Sequence, residues 1–220
     1  MIFGHIRLVE DRNPGAGAWN MGVDEMLLDG VKMPTLRVYR WSERTTTFGY
    51  FEKLAKARMW HPAGSLMRRW TGGGLVDHGA DWTYSLIVPA ADKLTQRGRG
   101  ESYVVIHEVL RHFLEVSCGI SVSLASGSGC EGEGCFASPV RGDLLVEGRK
   151  VAGAAQRRTR RGLLHQGSVQ VEVPEGVAPM HLARCLAETV ADLPLTDEEL
   201  GRAAELVSSR YGTQEWLERF

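Results

Sequence analysis

Three stretches of the chain carry residue types that could do chemistry. The first is RRWTGGGLVDH, Arg68 to His78. Three consecutive glycines cost backbone entropy on folding, but they let the main chain take positive φ and approach a ligand closely. Successive N–H groups in such a turn make an anion-binding nest, and Arg68 and Arg69 place fixed positive charge beside it. With Thr71 before them and His78 after, Gly72, Gly73 and Gly74 read as a loop that holds a carboxylate or phosphate. The second stretch, CFASPVRGDLLVEGRKVAGAAQRR, runs from Cys135 to Arg158. Cys135 follows a Gly- and Ser-rich segment, and a cation such as Lys150 near it would favour the thiolate. Gly153, Ala154 and Ala155 are small residues of the kind that let a ligand lie against a strand. The third stretch is LLHQGS, Leu163 to Ser168, where His165 is either a ligand contact or a satisfied core histidine. Cys118 and Cys185 sit on apolar helix faces and read as inert thiols. The run Arg157 to Arg161 reads as a solvated turn, or alternatively as a docking patch for an acidic protein partner.

These residues need elements to hold them. From Trp19 to Val31 the apolar positions Val23, Met26, Leu27 and Val31 recur at helical spacing, with Asn20 as the expected cap. Leu36 to Trp41, Thr45 to Phe51 and Trp82 to Val88 read as strands. Another runs into Arg68-Arg69-Trp70 and breaks at the glycines, and a further strand follows them. Residues 102–118 predict a helix capped by Ser102 and ended by Gly119. Ile120 to Leu124 alternates like a strand, and residues 125–134 form a loop. Leu144 to Val146, the turn Glu147-Gly148 and Val151 onward predict a hairpin, with a strand from Leu163 to Val173 after it. Two helices close the chain, the second opening on the capping box Thr196 to Glu199. Without regular βαβ alternation, this predicts an α+β fold with one mixed or antiparallel sheet backed by helices. We expect a single domain over residues 1–220, its last helices from about residue 178 forming an appendage, with no separate accessory domain.

Composition excludes several classes. The 220 residues hold 26 Lys+Arg against 27 Asp+Glu, a net charge of -1, which argues against a generic nucleic-acid binder. No apolar stretch approaches the roughly 18–20 residues of a membrane span. The opening MIFGHIRLVEDRN lacks the layout of a signal peptide, so a cytoplasmic protein is expected. Four cysteines without paired spacing predict neither a disulfide framework nor a metal centre.

The motifs together resemble the lipoate–protein ligase A / octanoyltransferase family, relatives of the biotin protein ligases. Asn20-Met21-Gly22-Val23-Asp24-Glu25 is similar to the family's first helix. Arg69-x-Thr71-Gly72-Gly73-Gly74-x-Val76-x-His78 resembles its glycine signature. Asp143-Leu144, then Gly148-Arg149-Lys150-Val151-x-Gly153-x-Ala155, resembles its lysine motif, and His165-x-Gly167-Ser168 the strand after it. The resemblance covers about Leu8 to Tyr211. It implies a class II biotin/lipoyl-synthetase-like fold and transfer of an octanoyl or lipoyl group to a lysine of a lipoyl-carrier domain, with an acyl carrier protein as a further partner. No nucleic acid or membrane is implied.

The chemistry follows from the acceptor. A lysine with a pKa of about 10.4 is scarcely neutral at pH 7 and cannot attack a free carboxylate usefully. The acyl group must therefore arrive as a thioester or an acyl adenylate, and a positive oxyanion site then stabilises the tetrahedral intermediate. A medium-chain tail offers about 5 kcal/mol if buried, which predicts an apolar tunnel beside the glycine loop. Cys135-Phe136 followed by Pro139 matches the cysteine-dependent transferases of the family. That match implies catalysis by Cys135 and Lys150 and no obligatory cofactor. The alternatives are an ATP-dependent lipoate–protein ligase, which would need ATP and Mg, and a non-catalytic binder of lipoylated or acyl-carrier proteins. His165 stands one place earlier than in many transferases. On a strand that offset turns the imidazole to the opposite face.

Overall fold

The computed structural model describes residues 1–127, 139–174, 176 and 178–220; Cys130, Cys135 and Phe136 lie outside them. In chain order the first elements are β1 (Phe3–Glu10), α1 (Gly17–Asp29), β2 (Thr35–Tyr39), β3 (Thr45–Phe48), α2 (Leu54–Trp60), β4 (Ser65–Arg68), β5 (Leu75–His78) and β6 (Trp82–Pro89). Then come α3 (Lys93–Gln96), α4 (Arg99–Cys118), β7 (Ser123–Leu124), β8 (Leu144–Val146), β9 (Arg149–Arg158) and β10 (Gly162–Val169). The chain ends with α5 (Ala178–Leu186), β11 (Ala187–Asp192), α6 (Asp197–Leu206), a π-helical turn Val207–Tyr211 and α7 (Gln214–Leu217). Eight strands make one mixed sheet in the order β11-β1-β2-β6-β10-β9-β8-β7, and β4-β3-β5 make a second.

The large sheet is covered on both faces, as its nearly continuous buried strands require. On the back, α4 and α5 pack Ile106, Leu110, Phe113 and Leu182 against Leu86, Val88 and Leu163. On the front, α1 sets Val23, Met26 and Leu27 against Ile87 and Leu164, and Ala203 of α6 closes that cluster from outside. Helix α1 is therefore buried nearly all round, from Asn20 to Leu28.

The local signals hold where they rest on backbone stereochemistry. Glu147 and Gly148 both have positive φ, +49° and +79°, the type I′ pair that matches strand twist. Gly119 ends α4 at φ +66°, and Thr196 with Glu199 forms the full capping box. Both expected helix starts shift. Helix α1 begins after Ala16, and the Asn20 side chain instead donates to the carbonyls of Gly15 and Arg40. Helix α4 begins after Gly98, and Ser102 turns its hydroxyl back to Arg99 O. The strands expected over Ile120–Leu124, Thr45–Phe51 and Leu163–Val173 are shorter, ending as β7, β3 and β10.

The segment after residue 178 is no appendage. Ala178, Leu182, Ala183 and Leu186 belong to the main core, and β11 pairs in parallel with β1 from Phe3↔Ala187 to Leu8↔Asp192. Its sequence, AETVAD, has no clear two-residue apolar period, because an edge strand with exposed Glu188 and Thr189 needs none.

Candidate active site

Between the front of the large sheet and the small sheet lies a cavity of about 30 Å³. One row of register partners forms its floor: Gly153 on β9, Ser168 on β10, Thr83 on β6 and Tyr39 on β2. Ala154, Ala155 and Gly167 continue the floor, while Met21, Thr47, Val76, Arg69 and His78 close over it. The small residues anticipated on β9 are what leaves this space open. The expected tunnel is here a narrow slit that these side chains nearly close. A wider groove of about 760 Å³ adjoins it and shares Tyr39, Trp41 and His78 as a wall.

Lys150 lies across Gly153. A Cβ built on Gly153 would come within 2.6 Å of the Lys150 Nζ, so any larger residue there would push the ammonium from this position. The hairpin explains the placement. Leu145 pairs with Lys150 but Leu144 with Ala152, a bulge that gives β9 one extra residue. Such a bulge re-aims a side chain, and Lys150 ends on the same face as Gly153. Its ammonium is 2.7 Å from Asp143 Oδ2, with both side chains almost wholly buried. The same carboxylate accepts the Val140 N–H at 2.7 Å and the Tyr103 hydroxyl at 2.5 Å. Tyr103 in turn accepts the Ala154 N–H at 2.9 Å. Burial first, and then Asp143, raise the Tyr103 pKa, so the phenol stays protonated as a donor.

The two consecutive arginines part company. Arg69 reaches the cavity: it donates to Thr47 Oγ1 at 2.6 Å and to the carbonyls of Gly72 and Gly74 at 3.0 and 2.9 Å. Gly73, at φ +88°, faces Ala155 from the other side of the loop. Arg68 does not bind at this site. It is fully buried on the opposite side, donating to the carbonyls of Tyr50, Glu52, Trp216 and Leu217. It clamps the last helix behind the glycine loop, because neighbouring residues of an extended chain point in opposite directions.

His78 closes a polar chain. Its Nδ1 is 2.7 Å from Asp81 Oδ2 and its Nε2 is 2.7 Å from Thr47 Oγ1, while Trp41 stacks on the ring at 4.1 Å. With Asp81 accepting from Nδ1–H, the network assigns Nε2 as acceptor for the Thr47 hydroxyl. Thr47 accepts from Arg69, so a buried carboxylate is linked through three side chains to the glycine loop. Asp81, Thr47 and Trp41 carried no sequence signal of this role.

His165 is a core histidine, not a ligand contact. It is fully buried on the back of the sheet, between Tyr84 OH at 3.2 Å and Gln156 Nε2 at 3.1 Å. Burial, then His107, lower its pKa well below the ordinary value. The residue that faces the site is its neighbour Gln166, which accepts from Thr71 Oγ1 at 2.6 Å and donates to Asp24 Oδ2 at 2.7 Å. Thr71 thus braces the loop rather than lining the cavity. Asp24 also accepts from Ser85 at 2.6 Å and pairs with Arg37 at 2.7 Å, so the first-helix motif anchors the floor. Gly49 also escaped the sequence reading. A Cβ there would come within 1.9 Å of Gly73 O, so the glycine loop rests on its bare backbone. Cys135, in the sequence the expected nucleophile, lies outside the described residues; Pro139, four positions on, is described. Among the described residues no group of His, Cys, Asp and Glu is arranged to hold a metal ion.

The family described as lipoyl protein ligase A/B catalytic domain matches residues 16–191. Octanoyltransferase LipM of Brevibacillus brevis is 31% identical, over 90% of this chain and 94% of that protein. The octanoyltransferases LipM of Halalkalibacterium halodurans and Geobacillus kaustophilus are 34% and 35% identical. Those alignments cover 75% and 72% of this chain, and it spans 64% and 63% of their lengths. Two solved structures superpose with a TM-score of 0.78 at 21% identity: a T. acidophilum protein with bound lipoic acid, and a lipoate-protein ligase A bound with ATP. They cover 99% and 98% of both chains. They show the same fold, which is the α+β architecture that the motifs implied.

Proposed function

The chain belongs to the lipoyl protein ligase A/B catalytic-domain family, and from that premise we propose that it is an octanoyltransferase acting on a lysine of a lipoyl-carrier domain. The observation that carries the mechanism is the Lys150 ammonium, held by Asp143 across the bare backbone of Gly153. The thiolate of Cys135 attacks the carbonyl of an octanoyl thioester, the carrier thiol leaves, and a cysteine thioester remains. The acceptor lysine, deprotonated, then attacks that thioester and releases Cys135. In both steps Lys150 and the glycine loop stabilise the oxyanion. Arg69 keeps the loop in shape through the carbonyls of Gly72 and Gly74.

Two facts support the pairing of Cys135 with Lys150. The Cys-Phe motif precedes the lysine motif in sequence, and Val140, five residues after Cys135, donates to the carboxylate that holds Lys150. The thioester already carries the activation energy, so the reaction needs no ATP. The donor we propose is an acyl carrier protein. Among the described residues no helix is long and apolar enough to cross a membrane. The cytoplasm, which keeps Cys135 reduced, is the compartment we propose.

Intact-mass spectrometry tests this reading. Protein incubated with octanoyl-loaded acyl carrier protein should gain about 126 Da, one octanoyl group in covalent linkage. The gain should vanish in Cys135→Ser. Pyrophosphate release with free lipoate and ATP, without the adduct, would establish ligation instead. Lipoylation that survives both Cys135→Ser and Lys150→Ala would remove the two-residue mechanism.

A further inference from the structure

The outer side of the glycine loop carries an aromatic patch that the reaction does not use. The rings of Tyr50, Phe51 and Phe220 are mutual neighbours, with centroids 4.8, 5.3 and 5.6 Å apart. Phe51 is 73% exposed and Phe220 51%. Large apolar side chains left in water side by side mark an interaction surface more often than isolated ones do.

Cations ring the patch. The Arg157 guanidinium sits 5.1 Å from the Tyr50 ring and 4.7 Å from Trp70, and Arg219 sits 5.4 Å from Tyr50. Beside Phe51 a groove of about 520 Å³ is lined by Lys53, Lys56, Glu52, Gly72 and Gly73. The carboxylates here are engaged, Glu52 with Lys56 at 3.2 Å and Glu218 with Arg58 at 3.9 Å. Lys53, Arg157 and Arg219 have no ion pair among the described residues, so the rim offers unpaired cations to a partner. The basic run of the sequence is divided in the same place. Arg158 turns inward to Thr95 O and Ser102 Oγ, whereas Arg157 joins the patch.

We propose that this patch docks the acceptor carrier domain through an acidic face around its target lysine. The inference rests on the transferase reading and adds the surface. Three observations select this occupant. The patch borders Gly72 and Gly73, and Gly73 faces Ala155 in the cavity wall, so a domain seated here brings its lysine to the loop that holds the acyl carbonyl. Aromatic and arginine side chains are the residue types that carry binding energy at the centre of protein interfaces. Unpaired cations at its rim would steer an acidic partner and set its register.

The test separates docking from chemistry. Phe51→Ser and the double variant Lys53→Glu/Arg219→Glu are assayed with octanoyl-loaded acyl carrier protein as donor. Two acceptors are compared: the unmodified carrier domain and hydroxylamine. For the domain we expect kcat/KM to fall about tenfold or more in the charge-reversal variant, and its salt dependence to flatten. Octanoyl transfer to hydroxylamine should stay within about twofold. Unchanged transfer to the domain, or equal loss with both acceptors in folded protein, would overturn the proposal. If the wild type makes no thioester adduct, it is the transferase reading that fails. Titration calorimetry with the carrier domain then still decides the surface: binding that the variants lose supports it, and either absent wild-type binding or recruitment to anionic vesicles instead overturns it.

Discussion

The two faces of the large sheet are equally buried but treat polar groups in opposite ways. The front keeps charge: Arg37 has no exposed surface, yet burial does not neutralise it, because Asp24 and Asp11 together outweigh the cost. Lys150 with Asp143 at the sheet's edge repeats the arrangement. The back keeps its histidines neutral. Burial lowers the His107 pKa to about 4, against smaller opposing effects from Asp143 and from its bond to Gly142 O. His165 follows it well below the ordinary value; its ring packs with Tyr84 and Tyr103, and that of His107 with Tyr103. Ions are thus retained where counter-charges outweigh the cost of burial, and where they do not the titratable group stays uncharged. The candidate site lies on the first face and the neutral histidines on the second.

Replacing the front charge should have the largest effect. Lys150→Met keeps the bulk of the side chain and removes the ammonium. Single-turnover octanoyl transfer should fall by roughly 10²–10³-fold, the range for removal of one oxyanion donor, while the circular dichroism spectrum is kept. A rate within tenfold of wild type would break the contrast, since Lys150 would then be structural. The back face makes a pH-dependent prediction. Between pH 6.5 and about 4 the unfolded chain binds a proton at His107 that the folded chain excludes. Stability from this site is therefore complete above pH 6.5 and falls by about 3 kcal/mol as the pH drops towards 4. Urea unfolding of His107→Gln should show a correspondingly flatter pH dependence, with octanoyl transfer near wild type at pH 7. Gln166→Leu probes the link between α1 and the glycine loop and should have the smallest effect. Loss of its bonds to Thr71 and Asp24 should cost about 1–3 kcal/mol and lower kcat more than it raises KM. Equal loss from His165→Leu and Gln166→Leu in transfer assays would erase the distinction between the faces.

Much of the site was legible because its motifs are local. The glycine triplet, the small residues of β9 and the I′ hairpin each state a backbone requirement that few other residues meet. Other features depend on distant partners. Arg68 and Arg69 are identical in type and adjacent, and only the packing of Trp216 and Leu217 makes one a clamp and the other a loop support. Asn20 looked like a cap because caps favour asparagine, yet Arg40 O and Gly15 O draw it inside the helix. Strand β11 needs β1, more than 180 residues away, before its residues mean anything.

By itself the sequence determined the chemical types present, their order and the turns between them, since these follow from the stereochemistry of a few residues. Which side chains meet was decided by the tertiary structure alone. A single bulge turns Lys150 over Gly153, and a one-residue step on β10 sends Gln166 to the site and His165 to the core. Both outcomes depend on strand register, and register is settled by pairing with residues far along the chain.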